Sequence, residues 1–331
     1  MKTESHGRAV RIVAACSLGL ASELSLTSAR AEPGDVAWAS SSGATGAGLG
    51  VLSPQGGRFW GEGAFHAQDA VTAFSPLIGA GFFVTPDVEL EIMLPAARSD
   101  FAAGSTGWEP GYKQTEPQTF GAAKTGMSIG QPYIGASYVY ASDSLRLKTG
   151  GGIAWLPVEL FGNDLAALYY AALMRGWWDF WLWAPRSLSL VVPLRIEADL
   201  GNVVVAGLDA GFGLLIPTDD GGGEGTSRAR SPEPIIQVAP GLGFRVTDEW
   251  LLGTRFAGVL RPAQRGYQTP LVWHDRDSEQ LSIEPYVRGT FGMGFFLARL
   301  TLNLDNPGYS FDRDLYSQGV WGLHAGGGFA W

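Results

Sequence analysis

The sequence predicts an all-β protein, a single antiparallel transmembrane β-barrel of about twelve strands. Three observations carry that expectation. The chain ends in a run that alternates to its last residue: Trp331, Phe329, Gly327, Ala325, Leu323 and Trp321 share one face, and Ala330, Gly328, Gly326, His324 and Gly322 share the other. Side chains in a strand repeat with period 2, so one face is suited to lipid and the other to a lumen. Hydrophobic residues make up 46% of the chain, yet they are spread over short segments with no run long enough for a membrane helix. The connections between these segments alternate between short turns and long loops. A barrel with one side facing the cell and one facing outward has a reason for that alternation, and a soluble β-sandwich has none.

Taken in order, the N-terminus reads as a secretory signal. Lys2, Arg8 and Arg11 supply positive charge, Ile12 to Leu26 is mostly apolar apart from Glu23, and Ala29-Arg30-Ala31 is an A-x-A cleavage site. Residues 1–31 are therefore expected to be removed by cleavage after Ala31. Val13-Ala14-Ala15-Cys16 is a rival lipoprotein signal, but the apolar stretch before Cys16 is short and Arg11 interrupts it. Cys16 is the only cysteine. A mature chain without it has no disulfide framework, no Cys nucleophile and no zinc–thiolate site. Cleavage also removes four basic residues (Lys2, Arg8, Arg11, Arg30) and two acidic ones (Glu4, Glu23), which takes the formal charge from −9 to −11. Nucleic acid is excluded as a partner at that charge.

Residues 32–57 are rich in Gly, Ser and Ala and read as a flexible segment with a short strand near Leu49–Leu52. The barrel is expected over 58–331, with strands at 58–67, 71–84, 88–97, 128–141, 145–157, 188–199, 203–216, 234–246, 250–262, 281–290, 293–304 and 318–331. Short turns fall at Thr85-Pro86-Asp87, Ser142-Asp143-Ser144, Leu200-Gly201-Asn202, Thr247-Asp248-Glu249 and near Gly292, each with turn-type residues. Long loops fall at about 98–127, 159–187, 217–233, 263–280 and 305–317. The connection at Gln68–Ala70 is short where a long loop is expected. A hairpin within 36–56 would raise the count to fourteen strands, and a strand wrongly divided would lower it to ten.

Strand parity assigns the faces. In 88–97, Val88, Leu90, Ile92 and Leu94 oppose Glu89 and Glu91; in 145–157, Leu145, Leu147, Ile153 and Trp155 oppose Arg146 and Lys148. In 188–199, Leu188, Leu190, Val192, Leu194, Ile196 and Ala198 oppose Arg195, Glu197 and Asp199. An Arg on the lipid face at the mid-plane costs about 2–4 kcal/mol, so the charged members point inward or sit at the rim. The inward acids are Glu62, Glu89, Glu91, Glu197, Asp199, Asp209 and Glu284. The inward bases are Arg146, Lys148, Arg195, Arg245, Arg255, Arg288 and Arg299. This mixed set argues against strong ion selectivity, which needs rings of one sign. It lines either a polar lumen that solutes cross or a narrow barrel filled by ion pairs. Twelve strands lie between filled and open barrels, and a wet but restricted lumen is the reading favoured.

The loop 159–187 is the most distinctive internal segment. Asn163 or Asp164 can cap a helix, Leu165 to Met174 are good helix residues, and Gly176 can end it. This helix is apolar around nearly its whole circumference and must be buried in something. Tyr169 and Tyr170 lie on it, and Trp177, Trp178, Phe180, Trp181 and Trp183 follow. The segment reads as a hydrophobic capture site or lid at the extracellular mouth, as an interfacial element in the headgroup girdle, or as a constriction folded into the lumen.

Catalysis finds little support. The histidines beyond the signal are His66, His274 and His324. His324 sits among glycines without a local Ser, and His274, beside Asp275, Arg276 and Asp277, reads as part of a solvated loop. No strand–Gly-rich loop–helix unit suggests phosphate binding. No catalytic residue, metal or cofactor is expected.

The final strand, with Phe329 and terminal Trp331, resembles the assembly signal of bacterial outer-membrane barrels. GGGIAWLP (150–157), GFGLLIP (211–217) and VELEIMLP (88–95) resemble, in style, the outer-membrane transport barrels of the long-chain fatty-acid transporter and phenol-degradation-associated families. The resemblance spans most of 58–331 and transfers no site residue; residues 32–57 lack the fatty-acid transporters' plug motif. It implies passive passage of small molecules, including hydrophobic ones, across a Gram-negative outer membrane. The expected partners are membrane lipid and lipopolysaccharide, the barrel-assembly machinery and small-molecule solutes. An occluded structural or surface-interaction barrel is the alternative, and a lipid-modifying enzyme a more distant one.

Overall fold

The computed structural model describes residues 37–38, 50–51, 56–68, 71–103, 106–107, 118–119, 122–142, 144–156, 162–184, 187–218, 232–261, 279–304 and 320–331. The signal peptide with Cys16 and its cleavage after Ala31, most of 32–57, and the central parts of the long loops, including His274, lie outside the described residues.

The wall has twelve strands: β1 (Gly57–Ala67), β2 (Val71–Thr85), β3 (Val88–Phe101), β4 (Lys124–Ile129 with Tyr133–Ala141), β5 (Leu145–Trp155) and β6 (Ser187–Leu200), then β7 (Val204–Pro217), β8 (Glu233–Arg245), β9 (Trp250–Leu260), β10 (Glu279–Phe291), β11 (Gly294–Asn303) and β12 (Trp321–Ala330). Each pairs antiparallel with the next, and β12 pairs with β1 in the register Phe329↔Phe59 and His324↔Ala64. The ring is therefore closed. Closure matters because a spanning sheet has no water to satisfy an open edge. At the seam the Gly57 N–H donates to the Trp331 carbonyl at 3.1 Å, and the Trp331 N–H returns to Gly57 at 3.0 Å. Ala37–Trp38 pairs with Gly50–Val51 in a separate two-residue ladder, so the wall stays at twelve strands.

Two boundaries differ from the sequence expectation. β3 runs on to Phe101 and β4 begins at Lys124, so the loop between them is shorter than 98–127. β4 is also not one strand over 128–141: it breaks at Gly130-Gln131-Pro132. Pro132 has no N–H for the ladder. The Gln131 N–H leaves the wall to donate to the Leu182 carbonyl at 2.7 Å, and its side-chain amide donates to the Ser187 carbonyl at 2.9 Å. β3 spans the break, pairing with both halves of β4.

Alternation along each strand separates two environments. On β3, Leu90, Ile92 and Leu94 are exposed on the outer face, while Glu89 and Glu91 are buried inside. On β6, Leu190 and Val192 are exposed, while Arg195 and Glu197 are buried. The exposed set continues round the barrel through Phe59, Phe74, Ile78, Phe212, Ile236, Phe256, Phe296 and Leu323. This apolar belt is what hydrocarbon requires of a barrel's outer surface. The register also sets complementary charges opposite one another inside: Arg146↔Glu197, Arg195↔Asp209 and Arg255↔Glu284.

Candidate functional site: the lumen and its inner segment

The chain between β5 and β6 folds inward. Helix α1 (Gly162–Met174) and the turns after it occupy the lumen in the half nearer the long loops, and Ala166–Leu168 through Ala184 are buried without a gap. The lumen at this level is filled, where a wet one was expected. The physical reason is the one that made the segment conspicuous: a helix apolar on all sides has no face to give to water.

The segment touches the wall almost all the way round. At the start of α1, the Met127 N–H of β4 donates to Asp164 Oδ1 at 3.0 Å. At its end, Asn303 of β11 donates to the Leu173 carbonyl at 3.0 Å, and His324 of β12 lies 3.1 Å from the Met174 carbonyl. Gly322 allows that approach, since a Cβ there would overlap the Met174 carbonyl. Gly176 then turns the chain with φ +63°. The Arg175 guanidinium that precedes it reaches Glu62 of β1 at 2.7 Å and the Ser75 carbonyl of β2 at 3.0 Å.

The aromatic run completes the circuit. Arg255 stacks on Trp178 with 4.6 Å to the ring centroid, and Arg261 on Trp177 and Phe180 at 4.8 Å each. Trp181 lies against Gly211 and Gly213 of β7, where larger residues would crowd it. Trp177 and Asp179 both hold left-handed backbone, with φ 58° and 56°. The Asp179 carboxyl is buried and its Oδ1 has no hydrogen-bond partner among the described residues. Burial pushes this carboxyl up to about 7, against the opposing pull of Arg175 and Arg255.

The other half of the lumen, nearer the short turns, is charged. Arg58 and Lys148 both reach Glu89 and Glu91. Arg146 pairs with Glu197 and Asp199 at 2.9 Å each, Arg245 with Asp199 at 2.6 Å, and Arg288 with Glu197 at 3.3 Å. Asp209 lies between Arg195 and Arg255, and Glu284 between Arg255 and Arg299. Glu62 receives Arg175, Arg299 and His324. The structure thus places all fourteen lumen charges named from the sequence on the inner face, joined in ion pairs. Within this half a pocket open on one side is lined by Arg195, Glu197, Val205, Gly207, Asp209, Ala239, Gly241, Arg255, Tyr286, Arg288 and Leu297.

Sequence reasoning missed Arg58, Arg175, Asp179 and the Arg261–Glu233 pair. Arg58 was within reach, since it has the same parity as Trp60 and Glu62. Arg175 and Asp179 lie in a segment without a strand period, so no alternation pointed to them. The aromatics Tyr169, Tyr170, Trp177, Trp178, Phe180, Trp181 and Trp183 lie together inside the barrel. Phe329 and Trp331 pack on the outside, with rings 5.6 Å apart. His66 is buried, 2.7 Å from the Trp321 carbonyl.

A closed twelve-strand wall, apolar outside and charged within, with short turns at one end, is the fold of an outer-membrane β-barrel channel. The chain is similar in structure to an outer membrane channel from Pseudomonas putida F1, with a TM-score of 0.54 over 91% of this chain and 100% of that one, at 10% sequence identity. At that identity the likeness speaks to fold alone. Lower similarity is found to the NanC porin (TM-score 0.46, 5% identity, 82% of this chain and 98% of that one) and to the toluene transporter TodX of P. putida (TM-score 0.37, 10% identity, 84% and 90%). No protein-family model and no curated protein sequence matches the chain.

Proposed function

We propose that the protein is a gated passive channel for small hydrophobic molecules in a Gram-negative outer membrane, with residues 162–184 as the gate. The observation that carries this reading is the wall behind the gate. Ala64, Ala73, Leu77, Ala97, Val191, Leu215, Ile235, Ala257 and Val259 belong to the same buried apolar cluster as the segment. If the segment moves, it leaves a space whose walls are largely apolar but carry Ser189, Gln237 and the Arg261–Glu233 pair, better suited to a hydrophobic solute with a polar group than to a hydrated ion. Tyr169, Tyr170, Trp177, Trp178, Phe180, Trp181 and Trp183 would then supply the mobile apolar contacts.

The seat also carries costs that favour movement. Left-handed backbone at Trp177 and Asp179 costs about 1–2 kcal/mol each. The indole N–H groups of Trp177, Trp178, Trp181 and Trp183 have no acceptor among the described residues, and a buried unsatisfied donor costs about 1–3 kcal/mol. In this reading residues 1–31 export the chain and are cleaved after Ala31, Phe329 and Trp331 are read by the assembly machinery, and lipopolysaccharide and lipid surround the belt.

Planar-bilayer recording of refolded residues 32–331, beside a variant with 163–183 replaced by a short Gly-Ser linker, tests the proposal. The wild type should be mostly silent, the variant should show steady steps, and wild-type vesicles should take up a hydrophobic probe faster than empty ones. The second reading, an occluded structural barrel, is favoured by the ion pairing of the charged half. It predicts no probe uptake by the wild type, from protein shown to be folded by heat-modifiable gel mobility.

A further inference from the structure

We propose that the pocket in the short-turn half of the lumen is a binding site for a small organic carboxylate, held by Arg288 and Tyr286. The site is separate from the apolar gate. Val205 lies one residue into β7, Leu297 three into β11, and Arg288 three before the end of β10, so the pocket sits toward the short turns. Its roof is Arg255, whose guanidinium stacks on Trp178 of the gate.

The donors are under-used. Arg288 is nine-tenths buried, yet its guanidinium makes one hydrogen bond among the described residues, at 3.3 Å to Glu197. A guanidinium has five N–H donors in a planar fork that matches a carboxylate, and burying it so poorly bonded is costly. Arg288 lines the pocket, and none of its nitrogens is among the fully buried atoms without a partner. Tyr286, two residues earlier on the same strand and face, makes no hydrogen bond among the described residues. Two donors of one strand therefore converge on one cavity.

The acids in the pocket do not cancel this. Glu197 is shared by Arg288 and Arg146, and Asp209 by Arg195 and Arg255, so each carboxylate already faces two guanidiniums. The lining holds three arginines against two acids. Val205, Ala239 and Leu297 add an apolar patch that an inorganic anion would leave unused. A short-chain carboxylate satisfies both: its head takes the fork of Arg288 and the Tyr286 hydroxyl, and its tail covers the patch. This assignment goes beyond hydrophobic permeation and does not depend on the gate opening.

The test is isothermal titration of the refolded barrel in neutral detergent with hexanoate, 1-hexanol and sulfate, each corrected against protein-free micelles. Saturable 1:1 binding of hexanoate is expected, at least about tenfold tighter than hexanol or sulfate, because a charge-assisted fork is lost with either. Arg288→Gln should weaken hexanoate by about tenfold or more, and Tyr286→Phe by about threefold. Equal binding of hexanol would reduce the site to apolar partition and overturn the proposal. Equal binding of sulfate would reduce it to a non-selective anion patch and overturn it too, as would the absence of saturable hexanoate binding. Unchanged affinity in folded Arg288→Gln would overturn the assignment of the donor. Should that variant fail to fold, Tyr286→Phe decides alone, and unchanged affinity there overturns the proposal.

Discussion

The two halves of the lumen are built by the same twelve strands with the same alternation, yet they are filled in opposite ways. Toward the long loops, inward positions are mostly small, apolar or neutral polar, such as Ala64, Ser189 and Gln237, with the Arg261–Glu233 pair among them, and they face a segment of the chain that is itself largely apolar. Toward the short turns, inward positions carry most of the Arg, Lys, Asp and Glu, which pair with each other across the register around the remaining pocket. The difference teaches where motion is affordable. Apolar contact is non-directional and can be left and re-formed against another apolar partner. A buried ion pair is directional, and separating it leaves a charge without compensation. On the proposed reading of 162–184 as a gate, the charged half would be the rigid frame and the other half the movable filling, with Glu62–Arg175 as a joint between them.

The predictions test that division, and the joint should respond most. Glu62→Gln leaves Arg175, Arg299 and His324 without their shared carboxylate, and breaking a buried pair in this way costs about 3–5 kcal/mol. Both readouts should move: a lower unfolding temperature by heat-modifiable gel mobility and more frequent channel openings. A change in only one would break the idea of a joint. Trp181→Leu, confined to the apolar half, should cost the seat about 2 kcal/mol of lost burial. Conductance should rise with the barrel's unfolding temperature nearly unchanged, and a fall in that temperature equal to that of Glu62→Gln would erase the distinction between the halves.

Asp179 gives a milder, pH-dependent effect. In the seat its carboxyl is held above its solution value of 3.8 by burial, with Glu62 adding repulsion and Arg175, Arg255 and Arg299 pulling the other way. The seat is then most stable below the ordinary carboxylate range and loses stability as pH rises through about 7. Opening frequency should climb from about pH 4, where the freed carboxyl ionises, to about pH 7 and level off above it, and Asp179→Asn should flatten the profile. The smallest effect belongs to the outer rim. Arg98 and Asp100 pair at 3.1 Å with more than two-fifths of each side chain exposed, so Arg98→Ala should cost under about 1 kcal/mol and leave conductance alone.

Much of the wall was legible because a strand in a membrane obeys one strict rule. Val88 to Leu94 against Glu89 and Glu91, and Leu188 to Ala198 against Arg195 and Glu197, each state their two faces in a few residues. The lipid face tolerates no charge, so parity alone sorts the fourteen lumen residues. The break in β4 was not legible: Gly130 and Pro132 mark an irregularity, but the reason for it is the Leu182 carbonyl, some fifty residues away in sequence. The aromatic segment showed that it needed burial without showing where, because an all-apolar helix fits a headgroup girdle, a mouth or a lumen equally well by composition. The sequence by itself determined the barrel, its strand parity and the sign of each face, since period and solvent are local properties. Only the tertiary structure decided that residues 162–184 fill the lumen, that Arg175 ties them to Glu62, and that Arg288 and Tyr286 share a pocket. Those depend on which walls close around which segment, and closure is a property of the whole ring.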